Sequence, residues 1–278
     1  MNPITPVSLE AFAYRVPIAS PVKVSFGTFR DRPMVLVRIV DREGAEGWGE
    51  IWCNWPAVGA EHRARLADDF KDRVIGRTYA SPDQAFASLT AELDVMAVQT
   101  GEIGPIAQVI AGIDIAMWDL AARREGKPLY RLLGGAPLDT VPVYATGINP
   151  DQPEKFAAAR YAEGHRAFKL KTGFDNARDL RNLQAMREAV GKDAVLTCDA
   201  NQALSVESAI DFARAAAPID LQWFEEAIRV GAPSAQWHAA HRSLSSAGAR
   251  PGGRSIPVPA NRRRPVGESV AAARYPAI

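Results

Sequence analysis

The chain has 278 residues, 47% hydrophobic and 23% charged, enough apolar side chain for one or two domains with their own cores. Its 33 basic and 32 acidic residues leave a net charge of +1, so no global charge recruits nucleic acid or an anionic membrane. No apolar run reaches bilayer length, the opening MNPITPVSLE lacks the basic-then-apolar order of a secretion signal, and two cysteines, Cys53 and Cys198, suit a reduced cytoplasm better than a disulfide scaffold.

Residues 7–16 alternate well enough for a strand, 33–40 (PMVLVRIV) are rich in β-branched side chains, and 48–52 continue after the turn-forming stretch 41–47. The three predict an antiparallel meander. Residues 21–30, centred on Phe26-Gly27-Thr28-Phe29, and 52–60, with Trp52, Trp55 and Pro56, read as loops. Two amphipathic helices are predicted over 60–74 and 82–97, with Ser81 as N-cap and Pro82 at the first helical position. From Pro105 the spacing of Ile106, Ile110, Ile113, Met117 and Leu120 marks one helix face, which Gly126 and Pro128 terminate. A short helix to Leu133 and the pair Gly134-Gly135 close this part, and a domain boundary is expected near 135–140.

The second part is built on a repeat. Four apolar runs, VPVYATG, AFKLKTG, AVLTCDANQAL and LQWFEEA, are separated by helical segments over 154–163, 175–190 and 206–216. Gly147 to Lys171 is 24 residues, Lys171 to Asp199 is 28 and Asp199 to Glu225 is 26. A period near 25 with alternating strand and helix is a β/α repeat, and charge at the C-terminal ends of parallel strands is where a barrel of this kind carries chemistry. Strand periodicity places Lys169 and Lys171 on one side, and Asp199 with Asn201 in the same way, so two lysines face carboxylates across one cavity. The same alternation turns Glu226 and Cys198 away, leaving Cys198 as a small core residue. Each of these charges taken singly reads as a surface charge at a strand end; KxK, DxN and EE at a barrel period read together as a site.

KLKTG, DAN and WFEE, with the stretch GPIAQVIAGIDIAMWDLAARREGKPLYRLLGG, resemble the motifs of the mandelate racemase and muconate lactonizing branch of the enolase superfamily, over about residues 7–228. The resemblance implies an α+β capping domain over 1–135 and an α/β, TIM-type barrel from 140 to 228, here about half a barrel. It implies an Mg²⁺-dependent enzyme that removes the α-proton of a hydroxy acid or sugar acid, as a racemase, epimerase, dehydratase or cycloisomerase. Asp199 and Glu225 would be metal ligands and Lys171 a general base. Lys169 would depress the pKa of that base by like-charge repulsion or contact the substrate carboxylate, and Asn201 and Thr146 would hydrogen-bond substrate. The two loops would fold over the barrel mouth. The partner implied is a small-molecule carboxylate, with homo-oligomers as the family's habit and no nucleic acid or membrane.

After Glu226 the text changes. Residues 227–278 hold eight arginines, no lysine, no aspartate and one glutamate, Glu268. Ala227 stands where the family motif has proline. The next strand with a terminal carboxylate would end near Gly252, and no acid occurs between Ala227 and Gly267. Residues 229–278 are therefore expected to be an irregular Arg/Pro/Gly-rich tail, as an out-of-frame reading would give. The alternative function is a truncated, inactive member lacking the third metal ligand and the base of the opposite face. His238 and His241 have no strand context and take no role.

Overall fold

A computed structural model describes residues 2–138 and 140–231, with the backbone of 251 and 252. The chain divides into two compact units, Met1–Pro21 with Phe29–Thr140, and Val22–Thr28 with Val141–Ile278.

The first unit holds most of strands β1 (Pro6–Val24) and β2 (Gly27–Asp41), all but their hairpin tip Val22–Thr28, and all of β3 (Glu46–Ile51), ordered β1-β2-β3. Val35, Val37 and Ile39 of β2 are wholly buried at every second position, the signature of a sheet with one dry face. β2 and β3 pair antiparallel from Val35↔Ile51 to Val40↔Glu46. The turn between them is fastened by Asp41, whose Oδ1 accepts from the amides of Glu43 and Ala45. The segment 21–30, read as a loop, is instead mostly strand, with the hairpin turning at Ser25 and Phe26. β1 accommodates Pro17 and Pro21 because it lies at the sheet edge, where a missing N–H costs no ladder bond.

Five helices follow: α1 (Gly59–Asp69), α2 (Lys71–Val74), α3 (Pro82–Thr100), α4 (Ile103–Arg124) and α5 (Leu129–Leu132). The expected helix over 60–74 is broken at Phe70, which is wholly buried between its two halves. Ser81 caps α3 by accepting from the Gln84 amide, and Gly101 ends it in the left-handed conformation. In α4, Ile106, Ile110, Ile113, Met117 and Leu120 are all buried. This helix is long and apolar enough to cross a membrane by length and composition, contrary to the expectation from the sequence. Ten of its residues are buried inside the unit, so it is a core helix. It lies directly on β3 because glycine lines the contact: a Cβ on Gly47 would stand 2.1 Å from the Ala116 carbonyl, and one on Gly49 the same distance from that of Gly112.

The second unit is a parallel sheet of β4 (Ala145–Ile148), β5 (Ala167–Lys171), β6 (Val195–Asp199), β7 (Leu221–Glu225) and β8 (Pro251–Gly252), adjacent in chain order. Helices α6 (Pro153–Ala162), α7 (Asn176–Val190) and α8 (Val206–Ala216) connect the first four strands. Sequential parallel strands joined by helices are the winding of a β/α barrel, present here in its first half. Phe168, Leu170, Leu196, Cys198 and Phe224 from alternate strand positions share one core with Ala157, Leu183, Met186 and Phe212 of the helices. Side chains of opposite parity are left for the other face. β8 pairs its backbone with β7, Phe224↔Pro251 and Glu225↔Gly252. The fourth repeat strand therefore has a neighbour at Pro251–Gly252, within the stretch 229–278 read from the sequence as an irregular tail. Residues 232–250 and 253–278 of that tail, with His238, His241 and Glu268, lie outside the described residues.

Candidate active site

The register of the parallel strands assembles the site. Lys169, Thr197 and Trp223 form one row across β5, β6 and β7; Lys171, Asp199 and Glu225 form the next row, toward the strand ends. Gly252 continues the second row on β8, at the position where a further carboxylate was sought. Because successive rows of one face are two residues apart, Lys169 can reach forward into the carboxylate row.

Lys169 does so. Its Nζ donates to Glu225 Oε1 at 3.1 Å and Oε2 at 2.9 Å and lies 3.6 Å from Asp199 Oδ2. Lys171 Nζ donates to Asp199 Oδ2 at 2.6 Å and to Asn201 Oδ1 at 3.1 Å. Asn201 returns to the same aspartate, giving its backbone and side-chain N–H to Asp199 Oδ1, each at 2.9 Å. Lys169, Lys171 and Asp199 expose under a fifth of their side chains, whereas Glu225 exposes 34%. Two ammonium groups thus neutralise two carboxylates in a mostly dry setting.

Burial pulls the Lys169 ammonium toward lower pKa, but its hydrogen bond to Glu225 and the charges of Glu225 and Asp199 outweigh that and hold it above the usual lysine range. Both lysines face carboxylates: Lys169 hydrogen-bonds Glu225 and also lies near Asp199, and Lys171 hydrogen-bonds Asp199. Burial pushes the Cys198 thiol far up, so it is no nucleophile at neutral pH.

Five of the six residues singled out from the sequence, Lys169, Lys171, Asp199, Asn201 and Glu225, meet in this cluster. Thr146 does not. β4 is irregular between its pairs Ala145↔Phe168 and Ile148↔Leu170, and Gly147 within that irregularity has φ +72°. Strand alternation fails there, and Thr146 is exposed. The neighbouring Tyr144, unremarked in the sequence, comes in its place, with Lys169 Nζ 5.2 Å from its ring centroid and Trp223 edge-on at 5.6 Å. Trp223 in turn gives its indole N–H to Glu225 Oε2 at 3.3 Å.

Glu226 is a second correction. Its φ of +45° takes it out of strand geometry, so alternation does not govern it, and its Oε2 accepts from Asn201 Nδ2 at 3.4 Å. Asn201 and Gln202 also have positive φ, +46° and +64°. Non-glycine residues in this conformation concentrate at functional sites.

The hairpin tip Val22–Thr28 belongs to this unit and is tied to its strand-end turns. The Lys23 amide donates to Asn149 Oδ1 at 3.0 Å, Lys23 Nζ pairs with Asp151, and Ser25 Oγ donates to the Ala200 carbonyl at 3.2 Å. In the first unit, Phe29 packs against Trp55 with ring centroids 4.8 Å apart.

This geometry has relatives. The family model for the mandelate racemase / muconate lactonizing enzyme N-terminal domain matches residues 7–134, and the enolase C-terminal domain-like model matches 153–259. D-Galactarolactone cycloisomerase of Agrobacterium fabrum is 34% identical over 232 residues, covering 81% of this chain and 58% of that protein. The crystal structure of a mandelate racemase/muconate lactonizing enzyme from Bordetella bronchiseptica RB50 is 48% identical with a TM-score of 0.80, over 87% of this chain and 63% of that one. A racemase from Streptomyces coelicolor A3(2), solved with bound magnesium, is 30% identical with a TM-score of 0.76, over 86% of this chain and 67% of that one. The curated relatives include cycloisomerases, a dehydratase and a racemase, and the chain spans under three fifths of their length. Both domains, in order and with matching fold, place this chain in the mandelate racemase / muconate lactonizing enzyme family of the enolase superfamily.

Proposed function

We propose that the chain carries the half-site of a Mg²⁺-dependent enzyme that removes the proton α to a carboxylate in a hydroxy acid or sugar acid. The observation that carries this reading is the convergence of Asp199 and Glu225 on one cationic position, taken by the Lys169 ammonium 3.6 Å and 2.9 Å away. The donors there are carboxylate oxygens, the chemistry a hard divalent ion prefers, and Mg²⁺ is commonly held by one or two carboxylates with waters completing its shell. Asp199 and Glu225 would hold it, and the magnesium-bound racemase relative supports the same choice. When bound, the ion supplies Lewis-acid stabilisation of the negative charge that develops on the substrate carboxylate.

The chain's own residues do the rest. Lys171, at the strand end and only 17% exposed, is the general base in this reading; as the neutral amine, its extra proton lost to solvent, it takes the α-proton and becomes the ammonium. Lys169 stays charged and opposes the charge of the bound acid. Asn201 fixes Asp199 through two donated hydrogen bonds and orients Lys171 through a third. The substrate is a small carboxylic acid, and the two buried free thiols suit a reducing, cytoplasmic setting.

A second reading is an inactive member that keeps the half-site without turnover. It is favoured by Gly252, which stands beside Glu225 in the row where a third carboxylate was sought. Proton NMR of mandelate and a panel of sugar acids in D₂O decides between the two. Mg²⁺-dependent loss of the α-proton signal, abolished by Lys171→Met, supports the enzyme; no exchange across the panel supports the inactive member.

A further inference from the structure

One buried acid takes no part in the site described above. Asp179 lies in the first turn of α7 and is wholly buried. Its Oδ2 accepts from the amides of Gly173 at 2.7 Å and Phe174 at 3.1 Å, and the amide of Asp175 also faces the carboxylate. Oδ1 is buried with no hydrogen-bond partner among the described residues. Helix capping does not explain this acid, because Asp175 already caps α7 by accepting from the Arg178 amide at 2.8 Å. Nor does packing, since an apolar side chain of the same size would fill the space without the cost of drying a carboxylate.

The amides it holds belong to the turn that directly follows Lys171. That turn is wedged from the opposite side. The Thr172 amide donates to the Asp199 carbonyl at 2.9 Å, and Gly173, at φ +87°, lies so close to the next turn that a Cβ would stand 2.6 Å from the Ala200 carbonyl. Lys171 is therefore followed by three residues fixed between Asp179 behind and the Asp199–Ala200 backbone in front.

We propose that Asp179 is a positioning residue for Lys171: by clamping the turn after β5 it keeps the Lys171 ammonium seated on Asp199. Lys169 depends far less on this clamp, because its hydrogen bonds go to Glu225 on β7 and Asp199 lies farther off, at 3.6 Å. Asp179→Asn keeps one acceptor oxygen for the amides while removing the charge and placing an NH2 where Oδ1 stood, whereas Asp179→Leu removes the acceptor at similar volume. The importance of Lys171 rests on the function proposed above, but the placement of its ammonium does not.

The test is acetylation of the full chain with an amine-reactive ester, read residue by residue by mass spectrometry, with surface Lys155 as reference. Asp179→Leu is expected to raise labelling of Lys171 about tenfold, equivalent to about 1.4 kcal/mol of lost seating, with Lys169 unchanged and Asp179→Asn like the parent. A general loosening would raise both lysines, and that result, or unchanged Lys171 labelling in a folded Asp179→Leu chain, overturns the proposal. If Asp179→Leu does not fold, amide hydrogen exchange of the parent chain decides: slow exchange at Gly173 and Phe174, retained in Asp179→Asn, supports the clamp, and exchange at free-peptide rates overturns it. No readout needs Mg²⁺ or an acid substrate, so failure of the catalytic reading is seen separately, in the α-proton experiment.

Discussion

Lys169 and Glu225 are joined by two hydrogen bonds, 2.9 Å and 3.1 Å, across two strands, and this pair is what lets Asp199 and Glu225 stand side by side. Removing the ammonium leaves two like charges in adjacent strands, with Lys171 still on buried Asp199 and Glu225 only a third exposed. Lys169→Met should lower stability by about 1–2 kcal/mol, less than breaking a fully buried pair costs because Glu225 is a third exposed and partly hydrated. Mg²⁺ should then recover more stability in the variant than in the parent, since it would restore positive charge between the carboxylates. Thermal melts with and without MgCl₂ measure both effects.

Asp199 is central to three partners, and Asp199→Asn changes one oxygen for an amide while keeping the shape. The variant should bind Mg²⁺ about tenfold or more weakly, through loss of a full ligand charge. Calorimetric titration reads this directly, and an unchanged affinity would remove Asp199 from the metal site.

The contact between α4 and β3 is made by backbone on backbone. Gly49→Ala would place a methyl group 2.1 Å from the Gly112 carbonyl, and backbone cannot yield as a side-chain tip can. A loss of about 3 kcal/mol is expected, at the upper end of overpacking costs. Gly44→Ala makes the control: nothing lies within 4 Å, and only its φ of +82° is strained, so about 1 kcal/mol is expected. Denaturant melts of the two variants should differ accordingly.

Asp114 on α4 gives the first unit a pH dependence. Burial, with Asp83 nearby, pushes its carboxyl up to about 6. The folded pKa lies above the unfolded value of about 3.9, so the folded state prefers the protonated acid. This group's stabilising contribution is full below about pH 4 and is lost as pH rises through about 6, an effect on the order of 1–3 kcal/mol. Asp114→Asn removes the titration, so its melting temperature should gain on the parent between pH 4.5 and pH 8. Parallel melting curves at the two pH values would exclude this assignment.

The sequence was most legible where backbone geometry was regular. The 3.6-residue spacing in α4 and the two-residue spacing of Lys169 with Lys171 translate directly into faces, because helix and strand hold their period over those stretches. Glu226 was misplaced for the converse reason: a positive φ interrupts the alternation on which its assignment depended. Tyr144 left no signal, since an aromatic ahead of a strand looks like any core residue until the ammonium above it is placed. Asp179 was hidden in the polar part of an amphipathic helix, and only its burial distinguishes it from the solvent-facing acids around it. The stretch 21–30 looked like a loop because of its proline and glycine, yet an edge strand tolerates the one and a tight hairpin turn adjoins the other.

Asn201, Gln202 and Glu226 hold left-handed backbone without being glycine, at a cost of roughly 1 kcal/mol or more each for the residues with longer side chains. Gln202 shows what the strain secures: its Oε1 accepts the Val230 amide at 3.0 Å, tying the chain beyond β7 to the turn after β6. For anyone engineering this scaffold, these turns set thermostability against chemistry. Glycine at the three positions would relax the backbone, but it would delete one of the two donors that Asn201 gives Asp199, the acceptor that anchors Val230 and the carboxylate at the rim.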